Sequence, residues 1–179
     1  RKALDEIRSL DETTTRETLT LCQNPAPSHQ ERAKAEYILK LFRAAGLLDV
    51  NMDEVWNVLG RWPGTGGGPT VMLAAHTDTV FPGETDVTVR KEGGRYYCPG
   101  INDDTHAVAE IMAVAKAMVK HDLHAKGDIL FCANVCEEGL GDLKGVKHIF
   151  GHENGIHAFV PVDNPVTGRG AYTPNGSRR

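Results

Sequence analysis

The feature that most constrains this chain is a mostly apolar run, Ile129-Leu130-Phe131-Cys132-Ala133-Asn134-Val135, that stops one residue short of two adjacent carboxylates, Glu137 and Glu138. Its small, β-branched and aromatic residues, bounded by Gly127 and Gly139, predict a buried strand. Two like charges side by side where such a strand ends are costly unless something cationic holds them. Taken alone, the Glu-Glu pair reads as a solvated turn. That reading weakens because His76, Asp78 and Asp163 also stand at the ends of apolar strands.

Taken in order, residues 3–22 carry Leu4, Ile7, Leu10, Leu19 and Leu21 at amphipathic spacing, one predicted helix that Pro25-Ala26-Pro27 ends. Ser28-His29-Gln30-Glu31 fits a capping box, and Ala35, Ile38, Leu39, Phe42 and Ala45 follow at helical spacing before Gly46. A strand is expected over Val55–Trp62, then a Gly/Pro loop at 63–69. That loop leads into another strand and opens no helix, which excludes a phosphate-binding turn. Thr70–Ala75 is the next strand and runs into His76-Thr77-Asp78. Val87–Lys91 and Arg95–Cys98 read as a hairpin around Glu92-Gly93-Gly94. Asp103 is placed to cap a helix marked by Val108, Ile111, Met112, Ala115 and Val119. A helix over Leu143–Phe150 and a strand over Ala158–Val162, ending at Asp163, complete the pattern. Alternating strands and helices in the second half give the fold class: α/β, with a mostly parallel mixed sheet flanked by helices.

Composition narrows the function classes. The chain has 179 residues, enough for one α/β domain with a sizeable core. A net charge of -4 with no basic block except the terminal Arg178-Arg179 argues against nucleic acid as a partner. No apolar run approaches the roughly 20 residues that cross a bilayer. Cys22, Cys98, Cys132 and Cys136 show no paired metal-ligand spacing and read as free thiols in a reducing, cytoplasmic setting.

In open α/β sheets ligands gather at the carboxyl ends of strands. His76 and Asp78 follow one strand, Glu137 and Glu138 another, Asp163 a third, and Asp103 opens a helix. Hard carboxylate oxygens mixed with imidazole suit zinc, manganese or cobalt. One bridging carboxylate and one acting as base is the arrangement of two-metal hydrolases.

The motifs are more specific than the composition. His-x-Asp after an apolar strand, Gly-x-x-Asp-Asp before a helix, Glu-Glu-Gly after a strand and a later Asp resemble the di-zinc exopeptidase family. That family includes tripeptidase (peptidase T), carboxypeptidase G, acetylornithine deacetylase and succinyl-diaminopimelate desuccinylase. The string Glu137 to Gly145 looks most like the tripeptidase branch.

The resemblance implies a zinc-exopeptidase fold, two divalent ions (zinc first) and hydrolysis of a small peptide or an N-acyl amino acid. It implies that Asp103 bridges the ions, that His76 and Asp163 complete one metal site, and that Glu138 binds the second. Glu137 would be the general base, and Asp78 would hydrogen-bond the far nitrogen of His76. A cis peptide is expected at Asp103–Asp104.

The chain departs from the family pattern in two places. Relatives read Asp-Asp-Lys-(Ala/Gly)-Gly where this sequence has Asp103-Asp104-Thr105-His106-Ala107. Family enzymes also carry a last metal-binding His beyond an inserted dimerisation domain, whereas Asn175–Arg179 looks like the connection just before that insert. Residues 1–179 therefore resemble the N-terminal part of a metallopeptidase catalytic domain, and an inactive fragment is the alternative to an enzyme. The other histidines offer no obvious replacement. His148 and His152 stand four apart as in a zincin helix, but Ile149 occupies the place of the catalytic Glu. His106 is a candidate to support the Asp pair; His29, His121, His124 and His157 read as surface residues.

Overall fold

The computed structural model describes residues 2–152 and 155–163; the connection expected at Asn175–Arg179 lies outside the described residues. Strands β1 (Leu48–Met52), β2 (Val58–Trp62), β3 (Val71–His76), β6 (Ile129–Asn134) and β7 (Ala158–Pro161) form one sheet in the order β1-β2-β6-β3-β7. β3 pairs in parallel with both β6 and β7, while β2 runs antiparallel to β1 and β6. Four of the five strands therefore point the same way, which is the mostly parallel mixed sheet expected. A separate hairpin, β4 (Arg90–Glu92) with β5 (Arg95–Tyr97), is shorter than the sequence suggested.

Side chains alternate across a strand, so each buried strand feeds two cores. Ala75, Phe131 and Ala133 face α3 (Arg32–Ala44) and α4 (His106–Lys120), packing with Ile38, Phe42, Val108, Ile111 and Met112. Met72, Ala74 and Cys132 face the other way, onto Ile149 of α5 (Lys144–His152). The result is helix, sheet, helix, with the strand ends left free at one rim.

Several local expectations are corrected. The predicted N-terminal helix is two, α1 (Lys2–Ser9) and α2 (Asp11–Cys22), broken at Leu10, whose ψ is 0°. In α2, Thr18 and Thr20 hydroxyls donate back to the carbonyls of Thr14 and Arg16, a competition with the backbone that weakens a threonine-rich helix. The capping box does not form: α3 starts later, with no side-chain cap, and Ser28 and Glu31 are used elsewhere. β2 begins at Val58, not Val55, because Asp53 Oδ1 accepts the Val55 and Asn57 N–H groups and holds a turn, with Trp56 at φ 80°. β1 was not foreseen. Nor does Asp103 cap α4: it lies in an irregular turn, Ile101–Thr105, at φ -138° and ψ 89°.

The cysteines are free; Cys22, Cys132 and Cys136 are buried, and burial pushes the Cys22 thiol up to about 12. Among the described residues, no helix is long and apolar enough to cross a membrane.

Candidate metal centre

Register brings the separated motifs to one rim. His76, the last residue of β3, pairs with Asn134, so the chain leaving β6 turns directly beside it. The turn is made at Cys136, with φ 55°, and is tied down when Cys136 N donates to Glu31 Oε1 at 3.0 Å. On the other side Ala74 pairs with Pro161, and Val162 N donates to Ala74 O at 2.7 Å. Continuing that register carries Asp163 alongside His76. The irregular turn before α4 supplies Asp103, and the Asp103–Asp104 peptide is cis, as the resemblance implied.

His76 is 2% exposed and central to the site. Its ligand-capable atoms lie within 4.8 Å of those of Asp103 and Asp163 in one cluster, and of Glu137 and Glu138 in another. Thus five of the six expected site residues converge, and His76 is shared by both groups. Asp103 belongs to the first and Glu138 to the second.

Asp78, the sixth, reaches the far nitrogen of His76 with two oxygens. His76 Nδ1 lies 3.0 Å from the main-chain carbonyl of Asp78 and 3.5 Å from its carboxylate. A carbonyl can only accept, so Nδ1 carries a proton and Nε2 is the nitrogen turned to the cluster, 3.1 Å from Asp103 Oδ1. The Asp78 carboxylate meanwhile receives Glu137 N at 2.9 Å, Glu138 N at 3.1 Å and Ser28 Oγ at 2.6 Å. It holds both the ring and the backbone of the acidic pair.

Electrostatics follow from this crowding. Burial works against a charge on His76, but its hydrogen bond to Asp78 and the carboxylates of Asp104, Asp78 and Glu137 raise it to about 9. Burial also opposes ionisation of Asp78, yet donors from His76, Ser28, Glu137 and Glu138 hold it at about 2. Glu137 is raised by burial and by Asp163, Asp78 and Asp103, against the pull of His76. Glu138 is raised by burial and then by Asp103. Carboxylates that raise one another around a single imidazole are the charge pattern a divalent cation relieves. The donor set fits: one ring nitrogen is anchored from behind, the other faces the cluster beside Asp103, and carboxylate oxygens lie on two sides.

Sequence reasoning missed four supporting residues. Ser28 serves Asp78. Glu31 is fully buried and accepts both the N–H and the Sγ–H of Cys136. Lys34, 1% exposed, donates to Thr105 Oγ1 at 2.9 Å, and burial lowers it to about 8. The available signal was a helix whose apolar stripe, Ala35, Ile38 and Phe42, is continued by charged Glu31 and Lys34. Asp104 is missed as well: it is buried, accepts His76 N at 3.1 Å, and is raised to about 8 chiefly by burial. His106 stays at the margin, 3.6 Å from Glu110.

The sequence profile of Peptidase family M20/M25/M40 matches residues 72–171, which contain every one of the six site residues. The chain belongs to this peptidase family. A protein of Pyrobaculum aerophilum named as a LysW-lysine/LysW-ornithine hydrolase is 34% identical over 154 residues, 86% of this chain and 41% of that protein. Among solved structures, aminopeptidase PepT from Bacillus cereus superposes with a TM-score of 0.70 at 22% identity, over 86% of this chain and 43% of that one. YXEP of Bacillus subtilis, a dinuclear metal-binding peptidase of the M20 family, gives 0.64 at 18% identity, over 86% and 43%. At these identities the two structures establish a shared fold. The chain spans about two-fifths of the length of each of these three proteins.

Proposed function

We propose that this M20-family chain supplies the N-terminal, metal-binding part of a hydrolase that cleaves amide bonds of small peptides, in the manner of an aminopeptidase or tripeptidase. The observation that carries the reading is the sharing of one buried, back-anchored imidazole, His76, by two carboxylate clusters at the ends of three strands. In this proposal His76, Asp103 and Asp163 hold one divalent ion and Glu138, with Asp103, a second; zinc suits the mixed donors best, with manganese or cobalt as alternatives. Bound there, such ions would polarise the scissile carbonyl and acidify a water.

The protein's own groups do the rest. Glu137, raised by burial and by its acidic neighbours, takes the proton of the attacking water and returns it to the leaving amine. Asp78 fixes the ring of His76 through its carbonyl and fixes Glu137 and Glu138 through its carboxylate. Glu137→Gln is expected to keep its metal content while turnover on a tripeptide falls by about 10²–10⁴. Glu138→Gln is expected to lose metal first. Parental turnover in Glu137→Gln would remove the base assignment.

A second reading, hydrolysis of an N-acyl amino acid on the same scaffold, is favoured by the LysW-lysine/LysW-ornithine names of the relatives. Assaying tripeptides beside N-acylated lysine and ornithine separates the two. Selective cleavage of the acyl substrates would replace the exopeptidase reading.

A further inference from the structure

Away from the His76 clusters, a second set of metal-capable side chains meets where α5 passes the turn between β1 and β2. We propose that Glu54, His148 and His152 form a site for one borderline divalent cation, zinc being the representative ion. The ligand-capable atoms of the three lie within 4.8 Å of one another and share no residue with the other clusters. Tetrahedral zinc at ordinary bond lengths needs its ligand atoms about 3.4 Å apart, a small closure for an exposed glutamate.

The ring orientations point to ligation. His148 and His152 are four apart on α5 and so project from one face, with ring centroids 4.3 Å apart. His152 Nδ1 lies 2.8 Å from the carbonyl of His148, so it donates there and leaves Nε2 with a bare lone pair. His148 is flanked on both sides: Nε2 is 3.7 Å from Asp53 Oδ2, and Nδ1 is 3.8 Å from Glu54 Oε1. A proton on Nε2, directed at Asp53, leaves Nδ1 for the cation beside Glu54. A carboxylate behind the ring is the usual partner of a metal-binding histidine.

Asp53 is itself immobilised. Its Oδ1 accepts Val55 N and Asn57 N, and its Oδ2 accepts Asn57 Nδ2 at 2.7 Å. Asn57 also donates to Gly145 O in the first turn of α5 and accepts Val135 N just before the Glu137-Glu138 turn. The same turn thus grips the start of α5 by hydrogen bonds, and a cation would grip its end. Three protein ligands leave one position for water. The competing account is a tilted pair of surface imidazoles near two carboxylates, which would bind no ion at micromolar concentration.

The test is a zinc titration of the chelator-stripped protein, followed by calorimetry and by the imidazole NMR signals of His148 and His152. His152→Asn and Glu54→Gln alter exposed side chains, and their fold is checked by circular dichroism. The parent is expected to bind one more zinc ion than His152→Asn, with both imidazole signals moving as that ion binds. Glu54→Gln is expected to weaken that ion's affinity about 10- to 100-fold. Equal stoichiometry and affinities in parent and His152→Asn, or unmoved signals from these rings, would overturn the site. Ions lost on His76→Ala report the separate peptidase centre, so failure of one reading is distinguishable from failure of the other.

Discussion

The carboxylate of Asp78 is fully buried and still ionised, because His76, Ser28 Oγ and the N–H groups of Glu137 and Glu138 all stabilise its charge. Its folded-state pKa of about 2 lies below the unfolded value of about 3.9. The sign follows from linkage: Asp78 contributes stability that is fully present above about pH 4 and is lost as pH falls toward 2. Chelator-stripped Asp78→Asn is therefore expected to be less stable than the parent by about 2 kcal/mol at pH 6. The gap should close as the medium is acidified toward pH 2. Urea denaturation of both proteins across that range measures it, and a gap independent of pH would contradict the hydrogen-bonding account. At this scale five of the residues the sequence singled out meet at one rim, since each stands at a strand or helix end where charge needs a reason. It did not yield Ser28, Glu31 or Lys34. Ser28 and Glu31 also fit a local capping box, and the long-range partners that claim them, Asp78 and Cys136, are visible only in the fold.

Elements place these residues, and α5 shows how little slack there is. A Cβ on Gly145 would run into Asn57 Oδ1 and the Val135 carbonyl, so the first turn of α5 closes only over glycine. Gly145→Ala is expected to cost about 1–3 kcal/mol and to weaken metal binding, because Val135 leads straight into the Glu137-Glu138 turn. Thermal melts with and without zinc test both effects; an unchanged melting temperature would mean that α5 can lift away freely. The strands β3 and β6 and the helices α3 and α4 were legible because continuous apolar runs and helical stripes bury both faces or one. β1 was not legible. Its sequence, Leu48-Asp49-Val50-Asn51-Met52, is polar and half-exposed, and its pairing with β2 is irregular between Leu48 and Asn51. The break at Leu10 and the irregular turn at Ile101–Thr105 are likewise tertiary choices that local pattern does not encode.

For the molecule as a whole, the site is a junction: β3, the β6 exit, the turn before α4 and the segment leaving β7 all meet at His76. Together the two proposed ions would engage four segments that are far apart in the unfolded chain, so they would favour the native state. Each tenfold rise in free zinc above the dissociation constant is expected to add about 1.4 kcal/mol of stability, and chelation to remove it. A melting temperature indifferent to zinc and to chelator would contradict that coupling.

The most direct measurement is an anomalous difference map at the zinc absorption edge, from crystals of this protein grown with zinc. The account predicts one peak bounded by His76 Nε2, Asp103 and Asp163, and a second beside Glu138. Zinc peaks elsewhere on the surface with none within coordinating distance of His76 would contradict it.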